Sequence, residues 1–285
     1  SLFKSLVMIR PTDSIPADVF DGIDRYLGKG GHFLLAYNQV EANMQYGVAN
    51  ATNSSIKNWL ASKGLTVEDA LVRDVRCGQV NVTQQQGFFS FSTPVQFPYL
   101  PLLQKFPPHP VTKGLEQILL EFASPMQFGS HPDWDYTPLL TSSERASREA
   151  VPLQFEVQRN WTDADFTEKN VHLAALLSSK QPGGGSLMVI SDGDFAVNGQ
   201  DQRRQNEDNI SLLVNGIDFL SDDTGLIDLR TKSVETRPIE ELSDSRRTAL
   251  KYLNFLLPIG LVVLYGIYRH SKNRNLRMRR MEERY

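Results

Sequence analysis

The segment Tyr26–Tyr37, with the sequence YLGKGGHFLLAY, decides the fold because it joins the end of a helix to a buried strand. Upstream of it, Leu6–Ile9 is a short apolar run typical of another strand. Between Pro16 and Leu27, apolar residues recur at helical spacing, and the glycines that follow end the helix. A strand, a helix and a strand in this order form the βαβ unit of a parallel sheet. The sequence therefore predicts an α/β fold.

Downstream of this unit, the sequence predicts a hairpin and two irregular stretches. Alternation in Val80–Thr83 and Phe88–Ser92 indicates a hairpin on the sheet edge. Pro94–Pro110 contains too many prolines for regular structure, and residues 129–150 are expected to form a long loop. The remaining predicted elements are a helix capped by Ser54 or Ser55, a helix over Ile210–Leu220, and strands at Leu65–Val67, Leu71–Val72, Ile118–Phe122, Val171–Leu177, Leu187–Ile190 and Leu226–Leu229.

The run Tyr252–Tyr268, YLNFLLPIGLVVLYGIY, contains no charged side chain and predicts a membrane-spanning helix. At about 1.5 Å per residue it covers roughly 26 Å, close to the thickness of a hydrocarbon core. Tyr252 and Tyr268 lie where amphipathic rings favour the two interfaces, and Pro258 is better tolerated in lipid than in water. The alternative is a buried core helix, but the cations that begin at Arg269 argue against it. We therefore assign membrane anchoring to Tyr252, Pro258, Tyr268 and Arg269.

The charge on each side of this run predicts its orientation. The tail 269–285 has seven Lys or Arg against two Glu, a net charge of +5, whereas fewer cations lie just upstream of the run. Because loops rich in Lys and Arg remain in the cytoplasm, we expect the tail to be cytoplasmic and the rest of the chain to lie outside. The tail arginines are expected to contact anionic lipid headgroups.

The composition is that of an ordinary globular protein, with 40% hydrophobic and 22% charged residues among 285. The net charge of −3 leaves −8 on residues 1–268, and this acidic balance argues against a nucleic-acid partner. Because Cys77 is the one cysteine, no intramolecular disulfide can form. The chain opens directly on a core strand without an initiator Met, so we expect a fragment that lacks its N-terminal part.

Few residues are candidates for catalysis. No stretch matches the phosphate-binding pattern GxxxxGK[ST], and Gly28–Gly31 precedes a strand rather than a helix. Cys77 and Ser191 could act as nucleophiles, but neither lies in a nucleophile-elbow pattern, and the sequence does not place a histidine beside them. We therefore interpret both as structural residues and expect neither enzymatic activity nor a cofactor.

Two acidic clusters could bind a ligand. Asp192 and Asp194 follow the predicted strand Leu187–Ile190, and the carboxyl end of a strand is where open α/β sheets present ligands. They could bind a cation or a sugar hydroxyl, but we favour an Asx-type turn with Asp194 as a cap. The segment His131–Asp135, with one His and two Asp, could hold a metal ion, although a loop containing proline gives no ligand geometry. We predict no metal site there.

The order of several motifs resembles a known family. Residues 26–35 are similar to a signature of glutamine-amidotransferase-like α/β domains. Later segments resemble the auxiliary proteins of bacterial ABC transport systems, the family typified by the gliding-motility protein GldG. These segments are Leu60–Leu65 with Val72–Asp74, His109–Leu115, Leu139–Ser143, Ser191–Phe195 and Asn209–Leu220, together with the closing span and the basic tail.

The resemblance implies a flavodoxin-like or glutamine-amidotransferase-like domain in a non-catalytic subunit that acts with an ABC permease and a separate ATPase. The system would be linked to gliding motility or protein secretion. We predict an extracytoplasmic domain over 1–240, a juxtamembrane helix over 241–251, a transmembrane helix over 252–268 and a cytoplasmic tail over 269–285. Such a protein would lie in the bacterial inner membrane with its domain in the periplasm. The alternatives are a glycan- or peptidoglycan-binding module on a membrane anchor and a degenerate hydrolase.

Overall fold

The computed structural model describes residues 3–86, 89–197, 206–222 and 244–282. The chain divides near residue 236 into two compact units. The described part of the first unit contains three helices, α1 (Ala17–Leu27), α2 (Ser55–Ala61) and α3 (Glu207–Ser221). Its strands are β1 (Ser5–Ile9), β2 (His32–Ala36), β3 (Val40–Asn43), β4 (Val48–Ala51), β5 (Leu65–Val67), β6 (Ala70–Asp74), β7 (Cys77–Gln86), β8 (Phe89–Leu103), β9 (Ile118–Leu119), β10 (Met126–Phe128), β11 (Trp134–Thr141), β12 (Ala146–Ala150), β13 (Leu153–Gln154), β14 (His172–Ser179) and β15 (Ser186–Ile190).

The main sheet has the strand order β1-β2-β15-β14-β10-β5, and β11 pairs with β14 as well. β1, β2 and β15 are parallel, but β14 runs antiparallel to β15, and β10 runs antiparallel to both its neighbours. The fold is therefore α/β with a mixed sheet, and the prediction of a parallel sheet is correct for three strands only. The reason is the short connection between β14 and β15, because parallel neighbours require a crossover of a dozen residues or more.

Strand β2 forms the centre of the parallel part and is buried on both faces. Phe33 and Leu35 pack with the apolar residues of α1 and α2, whereas Leu34 and Ala36 pack on the opposite side with residues of α3. All four side chains are at most 1% exposed. This explains why β2 has a continuous apolar sequence, which is typical of a strand covered by helices on both faces.

The helices begin and end as their sequences predict. α1 follows Pro16, and its Phe20 and Ile23 are buried against the sheet. At α2 the cap is Ser54, whose hydroxyl accepts a hydrogen bond from the backbone N–H of Ile56 at 3.1 Å. Gly64, after α2, has a φ of +82°, a conformation that favours glycine. The helix predicted over Ile210–Leu220 is confirmed as α3.

Three smaller sheets contribute to a third apolar cluster, and several predictions for this part of the chain are wrong. Pro94–Pro110 is not irregular throughout, because β8 extends to Leu103. The hairpin is present, but it belongs to the separate sheet β7-β8-β9 rather than to the edge of the main sheet. Proline is accommodated because Pro98 falls where the register between β7 and β8 shifts.

Residues 129–150 are likewise not a loop, because they contain β11 and β12. Pro138 hides the alternation of β11 in the sequence, and the register with β14 shifts next to this residue. The strand predicted at Ile118–Phe122 is shorter than expected and covers Ile118–Leu119. The strand predicted at Leu226–Leu229 lies outside the described residues.

The described residues of the second unit form one long helix, α4 (Asp244–Glu282), with Pro258 in its interior. The segments predicted as juxtamembrane helix, span and tail therefore belong, within the described residues, to a single helix. Its segment Thr248–Asn275 is long and apolar enough to cross a membrane, with a mean hydropathy of 1.7.

The turn before β15 depends on a close approach between two glycines. A Cβ atom on Gly185 would lie 1.6 Å from the carbonyl oxygen of Gly31, so Gly185→Ala requires the backbone to move. We expect this substitution to lower the free energy of unfolding by about 3 kcal/mol, measured by denaturant unfolding of the full chain in detergent.

Gly22→Ala in α1 is the matched control, because nothing lies within 4 Å of the added Cβ. It should raise stability by about 0.5–1 kcal/mol through helix propensity. If both substitutions changed the free energy of unfolding equally, the predicted clash between residue 185 and the carbonyl of Gly31 would be wrong.

Candidate functional site

A polar cluster lies at the carboxyl ends of the three parallel strands. Arg10 directly follows β1, Asn38 follows β2, and Asp192 and Asp194 follow β15. Because these strands are neighbours in the order β1-β2-β15, their ends bring together residues that are far apart in the sequence. This is the position at which open α/β sheets present ligands.

Asp194 connects all three strand ends. Its Oδ1 pairs with Nε of Arg10 at 2.9 Å, and its Oδ2 accepts a hydrogen bond from Nδ2 of Asn38 at 2.7 Å. Asn38 in turn accepts a hydrogen bond at Oδ1 from the backbone N–H of Gly193 at 2.6 Å. A Cβ on Gly193 would lie 3.1 Å from Cα of Arg10 and 3.2 Å from Cα of Tyr37, so the loop fits closely between the other two strand ends.

Asp192, two residues before Asp194, is fully buried. Its Oδ1 accepts the backbone N–H of Asp194 at 2.7 Å, and its Oδ2 accepts the backbone N–H of Glu121 at 2.7 Å. The first bond makes the predicted Asx-type turn, with Asp192 rather than Asp194 as the side-chain acceptor. Burial raises the pKa of Asp192 to about 8, although the two N–H donors act in the opposite direction.

All four carboxylate oxygens of Asp192 and Asp194 thus have a donor from the chain itself. The cluster can hold three strand ends and the segment at Glu121 in one arrangement. To bind a cation or a sugar hydroxyl, the partly buried oxygens of Asp194 would have to exchange their bonds with Arg10 and Asn38. The assignment of Asp192 and Asp194 to ligand binding stays a prediction.

The two candidate nucleophiles have structural surroundings. Ser191 is fully buried, and its hydroxyl donates to the carbonyl of Leu173 at 2.9 Å rather than to a base. Cys77 is half-buried, and burial raises the pKa of its thiol to about 11. A thiol with this pKa is a poor nucleophile at neutral pH because the thiolate is the reactive form.

The acidic segment around residue 133 is held by hydrogen bonds. Nδ1 of His131 accepts the backbone N–H of Asp133 at 3.2 Å, and Oδ1 of Asp133 accepts Nε2 of Gln181 at 3.3 Å. Asp135 pairs with Lys180 at 3.4 Å. In the part of the chain that the structure describes, no three His, Cys, Asp or Glu side chains form a group that could hold a metal ion.

The sequence did not single out Arg10 and Asn38. Arg10 has a φ of +50°, which is uncommon for a residue other than glycine, and this conformation occurs at the point where it reaches Asp194. The signal that could have found them is positional, because both are polar residues that closely follow an apolar strand of the βαβ unit. Their partner lies more than 150 residues away, at Asp194.

The apolar helix α4 is a second candidate site, because it could cross a membrane. Tyr252 and Tyr268 are 59% and 64% exposed, and Arg269 is exposed. No residue of the most apolar window of Thr248–Asn275 is buried within the described protein. In length, composition and exposure α4 is consistent with a membrane anchor.

Comparison with known proteins identifies the family. Residues 2–222 match the model of the ABC transporter auxiliary family, described as an ABC-type uncharacterized transport system. The chain belongs to this family. Membership indicates that this ABC transporter auxiliary protein is an accessory component of an ABC transport system. Among curated proteins, none matches the chain significantly. Among solved structures, the chain is similar to one titled "mmIFT52 N-terminal domain", with 15% identity, 78% coverage of both chains and a TM-score of 0.48.

The raised pKa of Asp192 gives a prediction about pH. A carboxyl group whose pKa is 3.8 in the unfolded chain and about 8 in the fold stabilises the protein below pH 4, and this contribution is lost as the pH rises to 8. We expect wild-type stability to fall over this range relative to Asp192→Asn, by at most about 1.4 kcal/mol per pH unit. Denaturant unfolding of the full chain in detergent at several pH values measures this.

Asp13→Asn is the control, because it removes the same charge at an exposed position. Parallel pH profiles for wild type and Asp192→Asn would contradict the prediction.

Proposed function

We propose that this ABC transporter auxiliary protein is a non-catalytic, membrane-anchored subunit whose α/β domain works outside the cytoplasm. It recruits or couples an ABC permease and a separate ATPase in a system linked to gliding motility or protein secretion. Family membership carries the proposal. The finer classification as a flavodoxin-like domain belongs to the proposal too, and it is supported by β1, β2 and β15 with helices on both faces.

The chemistry of the domain supports a role without catalysis. The hydroxyl of Ser191 is bonded to a carbonyl, and the thiol of Cys77 has a raised pKa. The polar cluster at the strand ends is bonded internally, so we infer that Asp194 acts as a clamp, meaning that it holds the ends of β1, β2 and β15 together through Arg10 and Asn38. A rigid domain of this kind is suited to binding another protein, because a preorganised surface loses little entropy on association.

The features of helix α4 support both membrane anchoring and the proposed orientation of the chain. Its apolar part includes the span predicted over 252–268, and a tail with a net charge of +5 follows. By the positive-inside rule we expect this tail in the cytoplasm, in contact with anionic lipids. The protein would then lie in the bacterial inner membrane with residues 1–240 in the periplasm.

A glycan-binding module on the same anchor is the alternative. It requires acceptor oxygens that can reach a sugar hydroxyl. Asp192 is fully buried, and both oxygens of Asp194 are bonded to Arg10 and Asn38. The described contacts therefore favour the clamp over a glycan site.

Co-purification tests the role in an ABC system. The full chain, cross-linked in membranes of its native host and extracted in mild detergent, should co-purify an ABC permease and an ATPase, identified by mass spectrometry. A matched variant replaces 244–285 by an unrelated single span of the same orientation. If the α/β domain recruits the permease, this variant retains the partners. Recovery of neither ABC component with the full chain would refute the proposal.

Thiol labelling in intact cells tests the orientation. In a Cys77→Ser background, Tyr46→Cys should react with a membrane-impermeant thiol reagent, because Tyr46 is 71% exposed in the domain placed outside. Asn275→Cys, at the exposed end of the apolar segment, should react only after the cells are permeabilised. The opposite labelling pattern would show that the domain is cytoplasmic.

A further inference from the structure

Three buried oxygen atoms near the end of β2 have no hydrogen-bond partner among the described residues. They are Oη of Tyr37, Oε1 of Gln39 and Oγ of Ser124, and each belongs to a residue that is at most 1% exposed. Nearly all buried polar groups in proteins are bonded to the protein or to ordered water, because burial without a partner is costly. Three such atoms in one region therefore indicate a bound molecule.

Asp69 places two of these atoms in the same region. Its Oδ1 accepts Nε2 of Gln39 at 2.7 Å, which identifies the other end of this amide as the oxygen Oε1. Burial and, after it, the charge of Asp69 raise the pKa of Tyr37. The carboxylate thus lies near the Tyr37 hydroxyl without bonding to it. Tyr37 and Gln39 therefore direct their unpartnered oxygens to the surroundings of one carboxylate.

Ser124 lies beside the segment that carries this carboxylate. Two backbone hydrogen bonds, at 2.9 and 3.0 Å, join residues 68–72 to residues 123 and 125, on either side of Ser124. The backbone N–H of Tyr37 bonds to the carbonyl of residue 190, and that of Ser124 bonds to the carbonyl of residue 191. Ser124 is therefore a neighbour of both Asp69 and Tyr37.

The chemistry of these atoms restricts what can bind among them. Oε1 of Gln39 only accepts hydrogen bonds, whereas the two hydroxyls both donate and accept. The bound molecule must therefore donate at least one hydrogen bond, which excludes an anion. A cation is disfavoured too, because Asp69 already accepts Gln39 and Nζ of Lys57, the latter at 2.5 Å, and this ammonium repels a second positive charge.

The burial of the three residues restricts the size of the bound molecule. Because each is at most 1% exposed, the molecule has to be small enough to be enclosed by the protein. A buried water typically makes about three hydrogen bonds to groups that would otherwise lack a partner. Water is neutral, donates and accepts, and matches this number of atoms.

We propose that an ordered water molecule binds among Tyr37 Oη, Gln39 Oε1 and Ser124 Oγ. The water joins the end of β2 to the segment that precedes β10. Tyr37 and Gln39 are the residues on either side of Asn38, whose amide bonds to Asp194 at 2.7 Å. The water is then a positioning element for the polar cluster at the strand ends, and it does not depend on the membrane anchor or on a partner protein.

Removal of the two hydroxyls tests the water. Denaturant unfolding of the full chain in detergent is followed by tryptophan fluorescence, since all three tryptophans precede α4. Tyr37→Phe and Ser124→Ala should each raise the equilibrium constant of unfolding about fivefold, because the water loses a partner. The double variant should raise it by less than the product of the two single changes. Tyr46→Phe is the matched control, because Tyr46 is 71% exposed, and it should leave the constant unchanged.

Each other result would overturn the proposal. An unfolding constant that falls or stays constant in Tyr37→Phe would show that this hydroxyl has no bound partner, because its removal then relieves a cost of burial. Single changes that multiply exactly would show that the two hydroxyls share no water. Stabilisation of the wild type by added K⁺, Mg²⁺ or Ca²⁺, absent in Tyr37→Phe, would assign the site to a cation. In a crystal structure of the full chain that shows ordered water, density within about 3.2 Å of the three oxygens is expected, and its absence would refute the water directly.

Discussion

The burial of β2 on both faces is the constraint on which the domain depends. Because Phe33 and Leu35 pack on one side and Leu34 and Ala36 on the other, the strand must lie between two layers of helices. Its neighbours β1 and β15 run parallel to it, with α1 and α3 covering the two faces. Because the three strands run in the same direction, their polar carboxyl ends meet at one edge of the sheet and form the site at Asp194.

In the cluster at the strand ends, the carboxylates of Asp192 and Asp194 bond to groups of the chain instead of to water. Asp194 uses both oxygens on Arg10 and Asn38, and Asp192 uses both on backbone N–H groups. The carboxylates of this site therefore have hydrogen-bond or ion-pair partners within the chain and need no ligand to satisfy them. The family match indicates an ABC transport system, and a helix long and apolar enough to cross a membrane is consistent with that.

The parts of the fold that the sequence predicts well are those whose pattern is local. The unit β1-α1-β2 and helix α3 have long apolar periodicity and clear end signals, so they were predicted close to their observed positions. β8 and β11 were missed because prolines interrupt their alternation, and long-range pairing with shifted register decides their conformation. At the site, Asp192 and Asp194 were found from their place after a strand. Arg10 and Asn38 were not, because their partner is distant in the chain.

Helix α4 continues without interruption from Asp244 to Glu282, through Pro258. At about 1.5 Å per residue, its 39 residues extend over roughly 58 Å, about twice the thickness of a hydrocarbon core. A rod of this length behaves as a lever, so a tilt imposed at one end displaces the other. Proline lacks the N–H that would bond to the preceding turn, which makes Pro258 the natural pivot for such bending. If α4 spans a membrane as proposed, a bend at Pro258 would change the direction in which the helix leaves the bilayer.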